Sequence, residues 1–144
     1  MALHTAVRLL LLTVLAGACA RGAAAGNPGD PPAAAAGKAT EEAERIYMLR
    51  CLPCHGPKGR GDGPTARTLA PRPRDFQDHE WQESVTDTHI EKIIVGGGIA
   101  VGKSAGMPPN PDLRTRPEVV TALRRKVRGF GKAEKEKEKE KERD

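Results

Sequence analysis

Two cysteines three positions apart, with a histidine directly after the second, stand in Arg50-Cys51-Leu52-Pro53-Cys54-His55-Gly56. The chain around them has little from which to build an interior. All 144 residues include one Trp, one Tyr and two Phe, against 16 Gly and 12 Pro. The four aromatics, Tyr47, Phe76, Trp81 and Phe130, all fall within residues 40–130. A domain of about 90 residues buries a modest share of its surface and leans on staples or cofactors. What the side chains cannot fill has to be filled by something else.

Several chemistries use closely spaced cysteines. A thioredoxin-like dithiol needs a βαβ setting, and no strand pattern flanks these residues. A zinc ribbon needs a second Cys/His pair at ligand spacing. The remaining core histidines, His79 and His89, lie on unrelated segments, and the third cysteine, Cys19, lies far upstream. A disulfide over so short a loop would be strained and would leave His55 unexplained. Covalent haem attachment accounts for all three residues. Thiols at i and i+3 on one helical turn reach two vinyl groups of one porphyrin, and the adjacent imidazole meets the iron.

A second axial ligand has four candidates: Met48, His79, His89 and Met107. Met48 precedes the attachment site on the same helix and cannot reach the opposite face of the ring. His79 and His89 read as surface residues at a helix start or in a loop. Met107 sits in Ser104-Ala-Gly-Met-Pro-Pro-Asn-Pro-Asp112, where Pro108 and Pro109 forbid a helix and stiffen an extended strap. Such a strap can press a thioether against a haem. If Met107 instead only fills a gap in the core, the iron is five-coordinate and the protein is an enzyme or ligand sensor.

The pattern predicts a mostly α fold of three to four helices in one domain. The first helix starts near Thr40 and runs into Cys51, with Ala43, Ile46 and Tyr47 on one face. Glu41, Glu42 and Glu44 suit its positive end. The second starts at the capping box Thr88-x-x-Glu91 and stops at Gly96-Gly97-Gly98. The third starts at Thr115-x-x-Glu118 with Pro117 in its first turn and closes at Gly129.

The ends read differently from the core. In residues 1–19, Arg8 precedes an apolar run and then small residues, the layout of a signal peptide, so the protein is expected to be exported to the periplasm. Cys19 also allows a lipoprotein signal and a lipid tether. Residues 20–39 are an Ala/Gly/Pro linker, with a flexible reach on the order of 25 Å. Residues 131–144 alternate Lys and Glu, which places like charges at i and i+4; a solvated, disordered tail is the expectation.

Residues 40–130 hold fifteen basic and twelve acidic residues, with the excess at Arg124, Arg125, Lys126 and Arg128. A basic patch there would steer a redox partner with an acidic docking surface. Nucleic acid is not expected for an exported chain this poor in aromatics. Gly97 to Ser104 satisfies the spacing of a phosphate-binding loop, but it runs into Gly106-Met107-Pro108-Pro109, which cannot start the helix that a phosphate needs. No NTP is expected, and its glycines are better suited to close backbone approach.

Taken together, "YMLRCLPCHGPKGRGDGPTA", "PRPRDF", "GGGIAVGKSAGMPPNP" and "PEVVTALRRKVRGF" resemble a class I c-type cytochrome of the bacterial single-haem kind. The resemblance covers residues 40–130. It implies a few helices around one haem c, thioethers at Cys51 and Cys54, His55 as proximal and Met107 as distal iron ligand, and single-electron transfer. It further implies that the Pro64 carbonyl accepts a hydrogen bond from the proximal imidazole. Leu52, Leu69, Ile93, Ile94 and Val101 are candidates to pack the ring, and Arg72, Arg74 and Trp81 to meet its propionates. A free shuttle and an electron-transfer subunit of a larger oxidoreductase share these residues.

Overall fold

The structure, a computed structural model, describes residues 33–143. The predicted signal peptide, Cys19 and residues 20–32 of the predicted linker lie outside the described residues.

The first helix, α1, spans Ala33–Ile46 and so begins inside the predicted linker rather than near Thr40. Alanine is the strongest helix former, and an alanine run needs no packing to favour the helix. Thr40 is interior to it, its hydroxyl donating back to Ala36 O at 2.8 Å. The chain continues through a widened π turn, Tyr47–Cys51, into one further turn, α2, at Leu52–His55. Two short helices, three 3-10 turns and one long helix follow the next loop. The 3-10 turn Ala66–Thr68 comes first, then α3 at His79–Ser84 and α4 at Asp87–Gly96. Gly98–Val101 and Pro111–Thr115 form further 3-10 turns before the long α5, Pro117–Lys141. No strand occurs among the described residues. The mostly α expectation is met.

The predicted starts shift by a residue or two. The cap of α4 is Thr86, whose Oγ1 accepts from His89 N at 3.1 Å, so Thr88 lies inside the helix. In α5 the 3-10 turn takes up Thr115. Arg116 stands at the cap without a side-chain capping bond, and Pro117 needs no N–H there. Asp78 caps α3 by accepting from Trp81 N at 3.1 Å, and this helix had no periodic apolar signal in the sequence.

The interior lies where α1 and α4 pack on α5. Ala39, Ala43 and Ile46 of α1 meet Val119, Val120, Ala122, Leu123 and Val127 of α5, with Ile90 and Ile94 from α4. Leu113 is wholly buried beneath them. The alanines of α1 let the two backbones approach, which is how a core this short of large side chains closes. Phe130 and Tyr47, with ring centroids 5.6 Å apart, extend the core towards the cysteines.

Ion pairs tie the same helices together. Glu42 of α1 pairs with Arg116, and Glu44 with Lys126 at 2.7 Å. Arg124 pairs with Asp87 and, at 2.9 Å, with Glu91. Arg128 pairs with Asp87 at 2.8 Å and donates to Val85 O at 2.7 Å. The predicted basic patch is therefore corrected. Arg124, Lys126 and Arg128 are neutralised within the fold, because α5 presents them to the acidic ends of α1 and α4.

The predicted disordered tail is corrected as well. The helix passes Gly129 and Gly131, the latter buried, and runs to Lys141. Alternation that sets like charges at i and i+4 also sets opposite charges at i and i+3, as in Lys137–Glu134 at 3.4 Å and Arg143–Glu140 at 3.5 Å. Extending an existing helix also needs no new nucleus.

Two outcomes are expected. Deleting residues 133–144 should lower far-ultraviolet helicity while moving the melting midpoint by only a few degrees, since the tail's contacts to α3 are surface ion pairs, each worth about 1 kcal/mol or less. For Asp87, partial burial alone would raise the carboxyl's pKa; the Arg128 hydrogen bond and the Arg124 and Arg128 charges outweigh it and hold it below its ordinary value. A depressed folded-state pKa stabilises above the unfolded value and is lost as pH falls through the folded one. Asp87→Asn should thus destabilise by about 1 kcal/mol or less at neutral pH, a difference that disappears in denaturation curves taken below the ordinary aspartate range.

Candidate haem site

The attachment turn owes its shape to Pro53. In a regular α-helix this proline would have no N–H for residue 49 and would crowd that carbonyl. The chain widens instead, and Leu52 N bonds Tyr47 O, five residues back. Cys51 and Cys54 follow on this widened turn and on α2, both as free thiols. Burial pushes the Cys51 thiol up to about 11, against the opposing charge of Arg50. A thiol held protonated is a poor partner for disulfide exchange, which argues against a dithiol switch. Cys54 Sγ lies 3.2 Å from Thr65 Oγ1, whose hydroxyl donates to Pro53 O at 2.8 Å.

His55 ends α2 and is only 8% exposed. Its ring stacks on Phe76 at 4.4 Å between centroids. Its Nδ1 lies 3.3 Å from the carbonyl of Arg74. A carbonyl only accepts, so this bond places the proton on Nδ1 and leaves the Nε2 lone pair for a metal. Burial lowers the imidazole's pKa, the Arg74 carbonyl working the other way, and favours the neutral ligand form. The carbonyl expected in this role was that of Pro64. Here it is Arg74, because the 74–76 segment lies over His55, anchored by Phe76 N to Gly59 O at 2.7 Å.

The loop after His55 folds back on the helix that it leaves. Thr65 N, Gly63 N and Gly61 N donate to the carbonyls of Pro53, Cys54 and His55 at 2.9, 3.1 and 2.9 Å. These are the groups that a helix end leaves without partners. Tyr47 OH adds a buried bond to Gly56 O at 2.8 Å. Gly63 is required: a Cβ there would lie 2.4 Å from the carbonyl oxygens of Leu52 and Pro53.

Met107, half-buried, comes from the strap between two 3-10 turns. Its carbonyl accepts from Gly98 N at 3.0 Å, and its N–H donates to Ser104 O at 3.3 Å. Gly97, at φ +70°, lies so close beneath it that a Cβ would stand 2.7 Å from Met107 O. The glycines of the phosphate-loop look-alike therefore seat the strap, and the backbone from 102 to 110 stays non-helical. Asn110 fastens the strap's far end to α4, through its N–H to Val95 O at 2.9 Å and its Nδ2 to Ile94 O at 2.8 Å. Leu69 Cδ2 lies 3.4 Å from the position of a Cβ on Gly106. The strap and the attachment lobe are thus neighbours.

Other predicted residues divide. Leu52, Leu69, Ile93 and Val101 are half-buried, and Ile94 belongs to the core. Arg72 and Arg74 are exposed, Arg74 pairing with Asp78 at 3.5 Å, while Trp81 stacks on Phe76 at 5.5 Å. His79 opens α3 and faces Glu138 at 3.5 Å; His89 lies in the first turn of α4; Met48 is exposed. Arg50, Asn110 and Phe76 escaped the sequence reading. Arg50 donates to Asn110 and Asp112, and holds the Asp112 carboxyl below its usual range by that hydrogen bond. No local pattern joins residues 60 positions apart.

Unpaired thiols one turn apart, an imidazole with Nε2 available, a thioether on a fastened strap and half-buried apolar side chains fit an iron porphyrin. Gly63→Ala should cost about 1–3 kcal/mol of stability, measured by denaturation, and lower the yield of covalently haem-loaded protein, because α2 loses its stop.

A family model described as cytochrome c matches residues 40–123, more than half of the chain. No curated protein matches it. The match runs from α1 through the attachment turn and the strap into the first turns of α5, and the chain accordingly belongs to the cytochrome c family, as a haem-binding electron-transfer protein with covalently bound haem c.

Proposed function

We propose that the protein is an exported carrier of single electrons, with Cys51 and Cys54 holding one haem c by thioethers and His55 and Met107 ligating its iron. The observation that supports it best is the double fastening of the Met107 strap, by glycine backbone at Gly97 and Gly98 and by Asn110 on α4. A methionine that merely filled space would need no such frame. Bound haem c supplies one-electron chemistry, ferric to ferrous and back.

The chain's own residues keep that chemistry to electron transfer. With haem bound, His55 and Met107 would hold the iron and leave no open position for dioxygen or substrates. A thioether ligand favours the reduced form, and apolar walls such as Ile93 and Leu69 favour it further. The main-chain bonds at His55 and Met107 hold ligand positions fixed between oxidation states, so little has to reorganise as an electron passes. Residues 1–19 support export. Partners are other redox proteins. Docking to an acidic surface loses much of its basis, because Arg124, Lys126 and Arg128 are already paired.

The ferric holoprotein should show the weak long-wavelength band of a sulfur-to-iron bond, and Met107→Ala should lose it. The same change should lower the reduction potential by about 0.1 V or more, out of the roughly 0.8 V that axial ligands command. A wild-type ferric spectrum without the band would remove Met107 as a ligand and leave the five-coordinate enzyme or sensor.

A further inference from the structure

We infer that Arg50 is a positioning residue that keeps the Met107 strap closed over the haem, acting through Asn110 and Asp112; this rests on the reading of Met107 as an iron ligand. Arg50 directly precedes Cys51, so its backbone belongs to the turn that bears the cysteines. Its Nη1 donates to Asn110 Oδ1 at 3.2 Å and to the two carboxylate oxygens of Asp112 at 2.9 and 3.0 Å. Both acceptors lie within five residues of Met107 on its C-terminal side. Among the described residues, the other hydrogen bonds of 104–110 stay inside the segment or run to α4 and to the 3-10 turns on either side of the strap. Arg50 alone crosses by polar contact to the lobe that carries His55.

The consequence is mechanical. The side of the site that holds the thioethers and the side that holds the thioether ligand are joined through one guanidinium. For Met107 to leave the iron, residues 107–112 must move away from the attachment turn, and the Arg50 contacts break in the same movement. Arg50 and Asp112 are 44% and 48% exposed, so each contact is modest alone. A charged donor shared between an amide oxygen and a carboxylate is a stronger arrangement than a lone surface pair. The clasp therefore acts on how often the strap opens more than on whether the domain folds.

The test uses ferric holoprotein mixed rapidly with excess imidazole, which occupies the iron only after Met107 departs. At saturating imidazole the rate reports strap opening. Arg50→Gln and Asp112→Asn should each raise that limiting rate by about two- to fivefold. Arg50→Lys should fall between them and wild type. The Arg50→Gln/Asp112→Asn pair should open little faster than Arg50→Gln alone, because the two residues act as one unit. Glu44→Gln removes an ion pair between α1 and α5 away from the strap. It should lower the denaturation midpoint yet leave the limiting rate at the wild-type value. Equal limiting rates in wild type and Arg50→Gln would overturn the clasp, as would equal acceleration by Arg50→Gln and Glu44→Gln. A wild-type spectrum lacking the sulfur–iron band would overturn the underlying ligand assignment instead. Should Arg50→Gln mature poorly, Asp112→Asn decides by the same rates.

Discussion

A helix that ends on a buried histidine, as α2 does at His55, must stop at that residue and hold it still. Here the loop 56–65 does both, returning three backbone N–H groups to the last three carbonyls of α2. Those carbonyls are the ones that the end of a helix leaves without intrahelical partners. Everything else at the site depends on that stop. Cys51 and Cys54 keep their spacing on the turn, the His55 ring is pressed on Phe76, and Tyr47 closes over Gly56.

The Met107 strap is built on the same logic with different material. Two prolines deny the strap a helix, so its backbone groups must find partners elsewhere. Gly98 and Val95 supply them from the end of α4, and Asn110 adds a side-chain bond. Glycine at 97 and 98 is the condition for this, since a Cβ at either would meet strap backbone at under 3 Å. The segments that carry His55 and Met107 are thus both positioned by main chain on main chain, which varies little as side chains around it move. An interior with few large side chains can then leave room for a ring and still be rigid around it.

Electrostatics does a separate job. The acidic residues of α1 and the start of α4 meet the basic residues of α5, so the charges that look like a docking patch in sequence serve helix packing. Those pairs are partly exposed and individually weak, but they cross the α1–α5 and α4–α5 seams where alanines leave little apolar area. The Lys/Glu extension follows the same rule along the helix. Its charge pattern is neutral overall and satisfied at i and i+3, and it lengthens α5 rather than leaving it.

The sequence by itself determined the attachment turn, the mostly helical fold and the strap, because each rests on local chemistry: thiol spacing, helical periodicity, proline's missing N–H. It misplaced the helix starts, for a threonine capable of capping at 88 or 115 does not say whether the chain nearby needs it, and alanines at 33–36 had already begun α1. Only the tertiary structure decided which carbonyl meets His55, which cations are paired, and that Arg50 reaches Asn110 and Asp112. Those are contacts between segments distant along the chain. Their partners are selected by how helices pack, and no local spacing encodes that.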